Sequence, residues 1–109
     1  MKVVNIDDLA KDLHKNAVEK GFWSEDVGDI FIAKQCMMIV SEVTEHMEAI
    51  RKDKGEEEIA AEFADILIRT LDLYAGVVEQ GYTKVSLDYA LEQKTGFNKT
   101  RPEKHGVRF

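Results

Sequence analysis

Two short acidic spacings are the part of this sequence most able to do chemistry: Glu42-Val-Thr-Glu45 and Glu62-Phe-Ala-Asp65. Residues three apart on a helix share a face, so each pair aims its two carboxylates in one direction. A hairpin joining the two segments can bring the pairs together. Four carboxylates in one place repel one another: at about 5 Å and an effective dielectric near 20, each pair costs roughly 3 kcal/mol before screening. Such a cluster binds cations or takes up protons. Oxygen-only ligands select hard ions, and Mg2+, which keeps several waters and bridges carboxylates to phosphate oxygens, is the natural occupant, with Mn2+ able to substitute. A di-iron centre does not fit, because that pattern places a His three residues after a Glu, whereas His46 follows Glu45 directly and lies four after Glu42.

The elements that must position these groups are helical. The sole proline is Pro102, and the glycines are read as falling where helices end, which leaves long uninterrupted helical windows. Four helices are expected. The first runs from about Ile6 to Lys20, with Asn5 or Asp7 as N-cap and Gly21 closing it. The second runs from near Gly28 to about Asp53. The third starts among Glu56, Glu57 and Glu58, whose charge suits a helix N-terminus, and reaches Gln80 before Gly81. A fourth, from about Lys84 to Thr95, ends at Gly96 and leaves an irregular basic tail over 96–109.

At about 100° per residue, Cys36, Ile39, Val40, Val43, Met47 and Ile50 form one apolar arc of the second helix. Glu42 and Glu45 lie beside it in a row shared with Met38 and Ala49, and Ser41, Thr44, Glu48, Arg51 and Lys52 form the solvated face. These two glutamates are thus expected at the margin of the core. The third helix is apolar around most of its circumference, and its polar groups collapse into one stripe: Glu58, Glu62, Asp65, Arg69 and Asp72. Such a helix is either central, with the stripe on an internal cleft, or a surface helix with a wide buried face. Periodicity on its own favours the second, because charged side chains are usually solvated.

Composition bounds the rest. With 109 residues, 44% hydrophobic and 33% charged, the chain has room for one folded domain spanning residues 1–109. So short a chain leaves apolar helix surface uncovered, which favours a homo-oligomer, at least a dimer. Cys36 is the only cysteine, so there is no intrachain disulfide, and a reducing compartment, the cytoplasm, is expected. The N-terminus shows no signal-peptide run, and no stretch approaches the roughly 18 apolar residues of a membrane span. The net charge of −6 is uneven, because the segment from Lys94 onward carries Lys94, Lys99, Arg101, Lys104 and Arg108 against Glu103. An acidic body argues against binding a nucleic-acid polymer. With a basic tail, it suits a small polyanion held through cations.

The ordered set Glu42-x-x-Glu45 then Glu62-x-x-Asp65 resembles the signature of the MazG-like all-α NTP pyrophosphatase superfamily. The flanks agree: Ser41-Glu-Val-Thr-Glu45, Glu62-Phe-Ala-Asp-Ile-Leu-Ile-Arg-Thr-Leu-Asp72, the upstream Gly21-Phe-Trp23 and the downstream Asn98-Lys-Thr-Arg-Pro-Glu-Lys-His-Gly106 look like segments of small MazG-like proteins, phage ones included. The resemblance spans nearly the whole chain. It implies a four-helix MazG-like bundle, dimeric or tetrameric, that hydrolyses a nucleoside triphosphate to the monophosphate and pyrophosphate. By residue match Glu42, Glu45, Glu62 and Asp65 are the implied magnesium ligands and catalytic carboxylates, with Asp72 a further candidate on the same stripe. The implied reaction is metal-assisted hydrolysis, in which magnesium on the phosphates polarises the α-phosphorus and lowers the pKa of the attacking water. One of the cluster carboxylates, Glu45 for example, orients that water, and the sequence does not choose among them.

Other residues are weighed against blander readings. Lys94, Asn98 and Arg101 have the spacing to reach one ligand and neutralise a leaving phosphate, or else belong to a loose basic tail; Lys104 and His105 are weaker candidates. Trp23 and His14 line the base pocket if the resemblance holds, since related enzymes often place aromatic residues there; otherwise they are a packing indole and a surface imidazole. Lys34 reads better as a solvated lysine than as a phosphate contact, and Cys36, Met37, Met38 and Met47 as core or interface. Two competing functions stand beside the first: phosphoribosyl-ATP pyrophosphohydrolase, which shares the helical carboxylate arrangement, and a non-catalytic helical module whose acidic stripe binds a partner.

Overall fold

The computed structural model of the protein describes residues 4–23 and 26–100, and these form four helices with no strand among the described residues. Asn5 opens α1 (Ile6–Glu19): its side-chain oxygen accepts from the amides of Asp7 and Asp8 at 3.0 and 3.1 Å, satisfying two donors the helix cannot satisfy itself. Gly21, at φ +80°, then reverses the chain, with the Phe22 amide donating back to the Ala17 carbonyl. Helix α2 (Asp29–Arg51) and helix α3 (Glu56–Glu79) form the expected antiparallel hairpin. The turn between them uses two positive-φ residues, Asp53 and Gly55. Three glutamates in the first turn of α3, where no side chain caps the helix, place negative charge on the positive end of its dipole.

Helix α4 (Leu87–Thr100) departs from expectation at both ends. It starts three residues later than Lys84 and continues through Gly96, so that residues 96–100 are helical; one glycine in an otherwise helical run costs about 1 kcal/mol, too little to end the helix. Its N-terminus is held by Asp7 of α1, whose carboxylate accepts from the amides of Leu87 and Asp88 at 2.7 and 3.0 Å. Asp7 is thus a cap for a helix 80 residues away in sequence rather than for its own.

Helix α3 is central, with α2 along one side and α1 along another, while α4 leans on α1. The side of α2 turned inward is not its apolar arc. Ala49 is buried and Gln35, Met38, Glu42 and His46 are half-buried, whereas Val40, Val43, Met47 and Ile50 are each about half exposed, with Phe63 and Leu67 of α3 similarly uncovered. The row read as marginal is the inward row, and it meets the polar stripe of α3. An ion pair across that seam, from Arg69 to Glu42, ties the two faces together. The predicted solvated face is as expected, with Arg51 and Lys52 both pairing with Glu48.

This leaves little core: among the described residues Ala10, Ala49, Leu71 and the imidazole of His14 are the buried side chains. The accessible surface is 8684 Å² for 12.4 kDa. Monomeric proteins of that mass expose about 6,100 Å². None of the described helices is long and apolar enough to cross a membrane.

Candidate metal centre and the adjoining cavity

Glu42 on α2 and Glu62 and Asp65 on α3 each offer a carboxylate oxygen, and the three oxygens lie within 4.8 Å of one another. The hairpin brings them together because the inward row of α2 faces the polar stripe of α3. Of the two readings left open for α3, the internal cleft is the one adopted. Glu45, one turn from Glu42 and more exposed, adjoins the group. A hydrogen bond with Glu42 holds the Glu45 carboxyl above its ordinary value of 4.5, helped by the Glu42 charge, by partial desolvation and by the charges of Glu62 and Asp65. One guanidinium relieves part of the crowding: Arg69 Nε donates to Glu42 Oε1 at 2.8 Å.

The donor set suits a hard divalent cation. Glu62 Oε2 is buried with no hydrogen-bond partner among the described residues, and leaving such an atom unsatisfied costs about 1–3 kcal/mol or more for a charged group. A bound ion would supply the missing partner. Glu42, Glu62 and Asp65 are the residues that would hold such an ion, and it would supply a Lewis acid beside the cavity. His46 takes no part: its Nδ1 lies 3.1 Å from the Ile59 carbonyl and its ring stands edge-on to Phe63, fastening α2 to the start of α3.

Beside the carboxylates opens a cavity of about 520 Å³ between α1, α2 and α3, within the range that holds small ligands. Glu42, Asp65, Lys34 and Arg69 supply its charged wall, and Leu13, Ala17, Phe22, Met38 and Ile68 its apolar one. Among the described residues Lys34 makes no ion pair. Phe22 is 66% exposed and presented by the Gly21 turn.

Trp23 and His14 stand behind this cavity, engaged with one another and with α3. Trp23 Nε1 donates to both oxygens of Asp72, at 2.9 and 3.2 Å; His14 places Nδ1 2.9 Å from Asp72 Oδ1 and Nε2 3.0 Å from Glu79 Oε2. Ionised carboxylates only accept, so both His14 contacts are hydrogen bonds when the ring carries both protons. The indole also stands edge-on to the imidazole at 4.6 Å. Gly76 is required here: a Cβ at this position would come within 2.2 Å of the indole. Asp72 is thereby committed to a latch between the segment after α1 and helix α3, and lies on the cavity wall through that latch. Lys94 and Asn98 sit on α4 and are not among the residues lining the cavity; Lys94 lies over the Phe97 ring. Arg101, Lys104 and His105 lie outside the described residues.

Three participants went unread in the sequence. Arg69 was noted only as part of a stripe, although a single cation among four acids three to four residues apart already marks an ion-pair partner. Gly76 interrupts a helical run, the usual sign of close approach by another group. Asp7 reads as a cap for its own helix, because its actual partners, the Leu87 and Asp88 amides, are distant in sequence. Comparison with family models, with curated proteins and with solved structures finds no match to this chain.

Proposed function

We propose that this protein is a magnesium-dependent nucleotide pyrophosphohydrolase that converts a nucleoside triphosphate and water to the monophosphate and pyrophosphate. The observation that carries the proposal is the convergence of three carboxylates from two helices around the unpartnered Glu62 Oε2, at the edge of a cavity that also holds lysine and arginine. The sequence resemblance to MazG-like enzymes points the same way.

In this reading Glu42, Glu62 and Asp65 hold the ion, with Glu45 completing the set, and Phe22 offers the cavity's exposed aromatic face to a nucleobase. The ion, when bound, supplies Lewis-acid polarisation of the phosphates and a more acidic water. The water oxygen bonds to the α-phosphorus, the bond from that phosphorus to the α–β bridging oxygen breaks, and its electron pair leaves on pyrophosphate. Glu45, beside the other three carboxylates and more exposed than Glu42 and Glu62, takes the proton from the attacking water. Lys34 stands within the cavity to offset charge on the phosphates.

The uncovered apolar face supports assembly: the exposed arc of Val40, Val43, Met47 and Ile50 with Phe63 and Leu67 offers the apolar centre of an interface. A homodimer or homotetramer covers that face; a monomer by light scattering refutes this part.

Pyrophosphate release, measured with Mg2+ across ribo- and deoxyribonucleoside triphosphates and phosphoribosyl-ATP, tests the activity. Release from at least one nucleoside triphosphate, lost in Glu62→Gln and Asp65→Asn, is expected. Release from phosphoribosyl-ATP alone would select the histidine-pathway reaction. Absence of release from every compound, with no thermal shift by Mg2+, leaves the acidic stripe as a protein-binding surface.

A further inference from the structure

The Arg69–Glu42 contact sets a conflict. Arg69 Nε lies 2.8 Å from a carboxylate that contributes to the divalent-ion cluster, so the guanidinium and an ion at that cluster would stand a few ångströms apart as like charges. The pair is also incomplete. A guanidinium carries five donors; here Nε alone is engaged, and the two Nη groups make no hydrogen bond among the described residues. Glu42 is well shielded, its side chain 14% exposed, while that of Arg69 is 36% exposed and lines the 520 Å³ cavity. The carboxylate is therefore fixed and the guanidinium has room to turn, with idle planar donors that match phosphate oxygens in pairs.

On the reading of the site given above, we infer that Arg69 couples the two ligands: it opposes a divalent ion arriving alone, and favours the ion together with a polyphosphate. With no phosphate present, the guanidinium occupies Glu42 as a monovalent substitute for the metal. When phosphates enter, the several negative charges beside the ion reverse the sign of its interaction, and the guanidinium transfers from the carboxylate to a phosphate oxygen. The same side chain thus weakens one equilibrium and strengthens the other. By linkage, each ligand then raises the affinity for its companion by the same factor. Such coupling keeps the carboxylates from being filled by an ion in the absence of a polyphosphate. Lys34, on the same cavity wall but without a carboxylate partner, lacks this dual action: it attracts phosphate and holds nothing back.

The test needs no turnover. Mn2+ binding to the intact protein is measured by electron paramagnetic resonance without nucleotide, and binding of magnesium tripolyphosphate by calorimetry at saturating Mg2+. Loss of a partly exposed ion pair predicts that Arg69→Met binds Mn2+ about three- to five-fold more tightly than wild type. Loss of a phosphate-directed guanidinium predicts about ten-fold or greater weakening for tripolyphosphate. Arg69→Lys keeps the charge without the fork and falls between on both measures. It also serves if the methionine variant does not fold. Lys34→Met should weaken tripolyphosphate alone and leave Mn2+ affinity within about two-fold of wild type. Arg69 variants that bind Mn2+ no better than wild type, or that hold tripolyphosphate as tightly, overturn the coupling while leaving the metal centre standing. A wild-type protein that binds no Mn2+ overturns the metal centre, and the coupling with it.

Discussion

Replacing Glu62 by Gln separates a metal centre from ordinary surface charge, because relief of repulsion in a cluster stabilises the metal-free protein whereas neutralising a solvated charge leaves stability nearly unchanged. The Glu62 carboxylate has neighbours with oxygens no more than 4.8 Å away, a distance at which unit charges repel by about 3.5 kcal/mol at a dielectric near 20 and about 0.9 kcal/mol in water. Glu42 shares its charge with Arg69 and Asp65 is exposed, so the effective repulsion lies toward the lower figure for each. The amide is isosteric and removes that repulsion, and its NH2 group can donate to a neighbouring carboxylate. Metal-free Glu62→Gln should therefore be more stable than wild type by about 1–2 kcal/mol, which for a chain of this size raises the unfolding temperature by roughly 5–10 °C. Differential scanning fluorimetry in chelator, then in Mg2+, reads both parts. Wild type should rise on adding Mg2+, and the variant should start higher and respond little. If Glu62→Gln melts lower than wild type in chelator, or keeps the full Mg2+ response, the cluster is not what holds the ion.

Three further outcomes follow from the same structure. Since the folded Glu45 carboxyl is held above its ordinary value, its protonation stabilises the metal-free fold; that contribution is complete below pH 4.5 and disappears as pH rises through the raised value. The Mg2+-induced thermal shift should accordingly be absent at the acidic end and grow across this window, with proton release on binding; a shift independent of pH contradicts it. Gly76→Ala places a Cβ 2.2 Å from the Trp23 ring, so the indole must leave Asp72, at about 1–3 kcal/mol, and emission of the sole tryptophan should move to the red; unchanged emission means the latch is not as described. Asp7→Ala removes the acceptor for the Leu87 and Asp88 amides and should cost about 1 kcal/mol, seen as faster hydrogen exchange in the first turn of α4 with α1 unaffected, since Asn5 caps that helix.

The interior of this protein reverses the usual relation between pattern and packing. On α2 the sequence shows a good apolar arc, and the ordinary inference turns it toward the nearest neighbour. Instead the row of Met38, Glu42 and Ala49 faces α3 and the arc of Val43, Met47 and Ile50 faces out. An apolar periodicity records that a face is covered, without recording by what. The ion pair from Arg69 to Glu42 spans the seam, so Glu42 is answered within the chain, whereas Glu62 Oε2 has no hydrogen-bond partner among the described residues and the apolar arc stays exposed.

Helix number, the hairpin, the acidic pairs and their common direction were all legible from spacing, because each depends on contacts within a few residues along the chain. The same holds for the Asn5 cap and the turns at Gly21, Gly55 and Gly81. What only the tertiary structure decided involves partners far apart in sequence: Asp7 with the start of α4, His14 and Trp23 with Asp72, Gly76 beneath the indole, and Arg69 across from Glu42. Residue type states what a side chain can donate, accept or bury; which distant group answers it depends on how the helices cross, and local periodicity does not encode that.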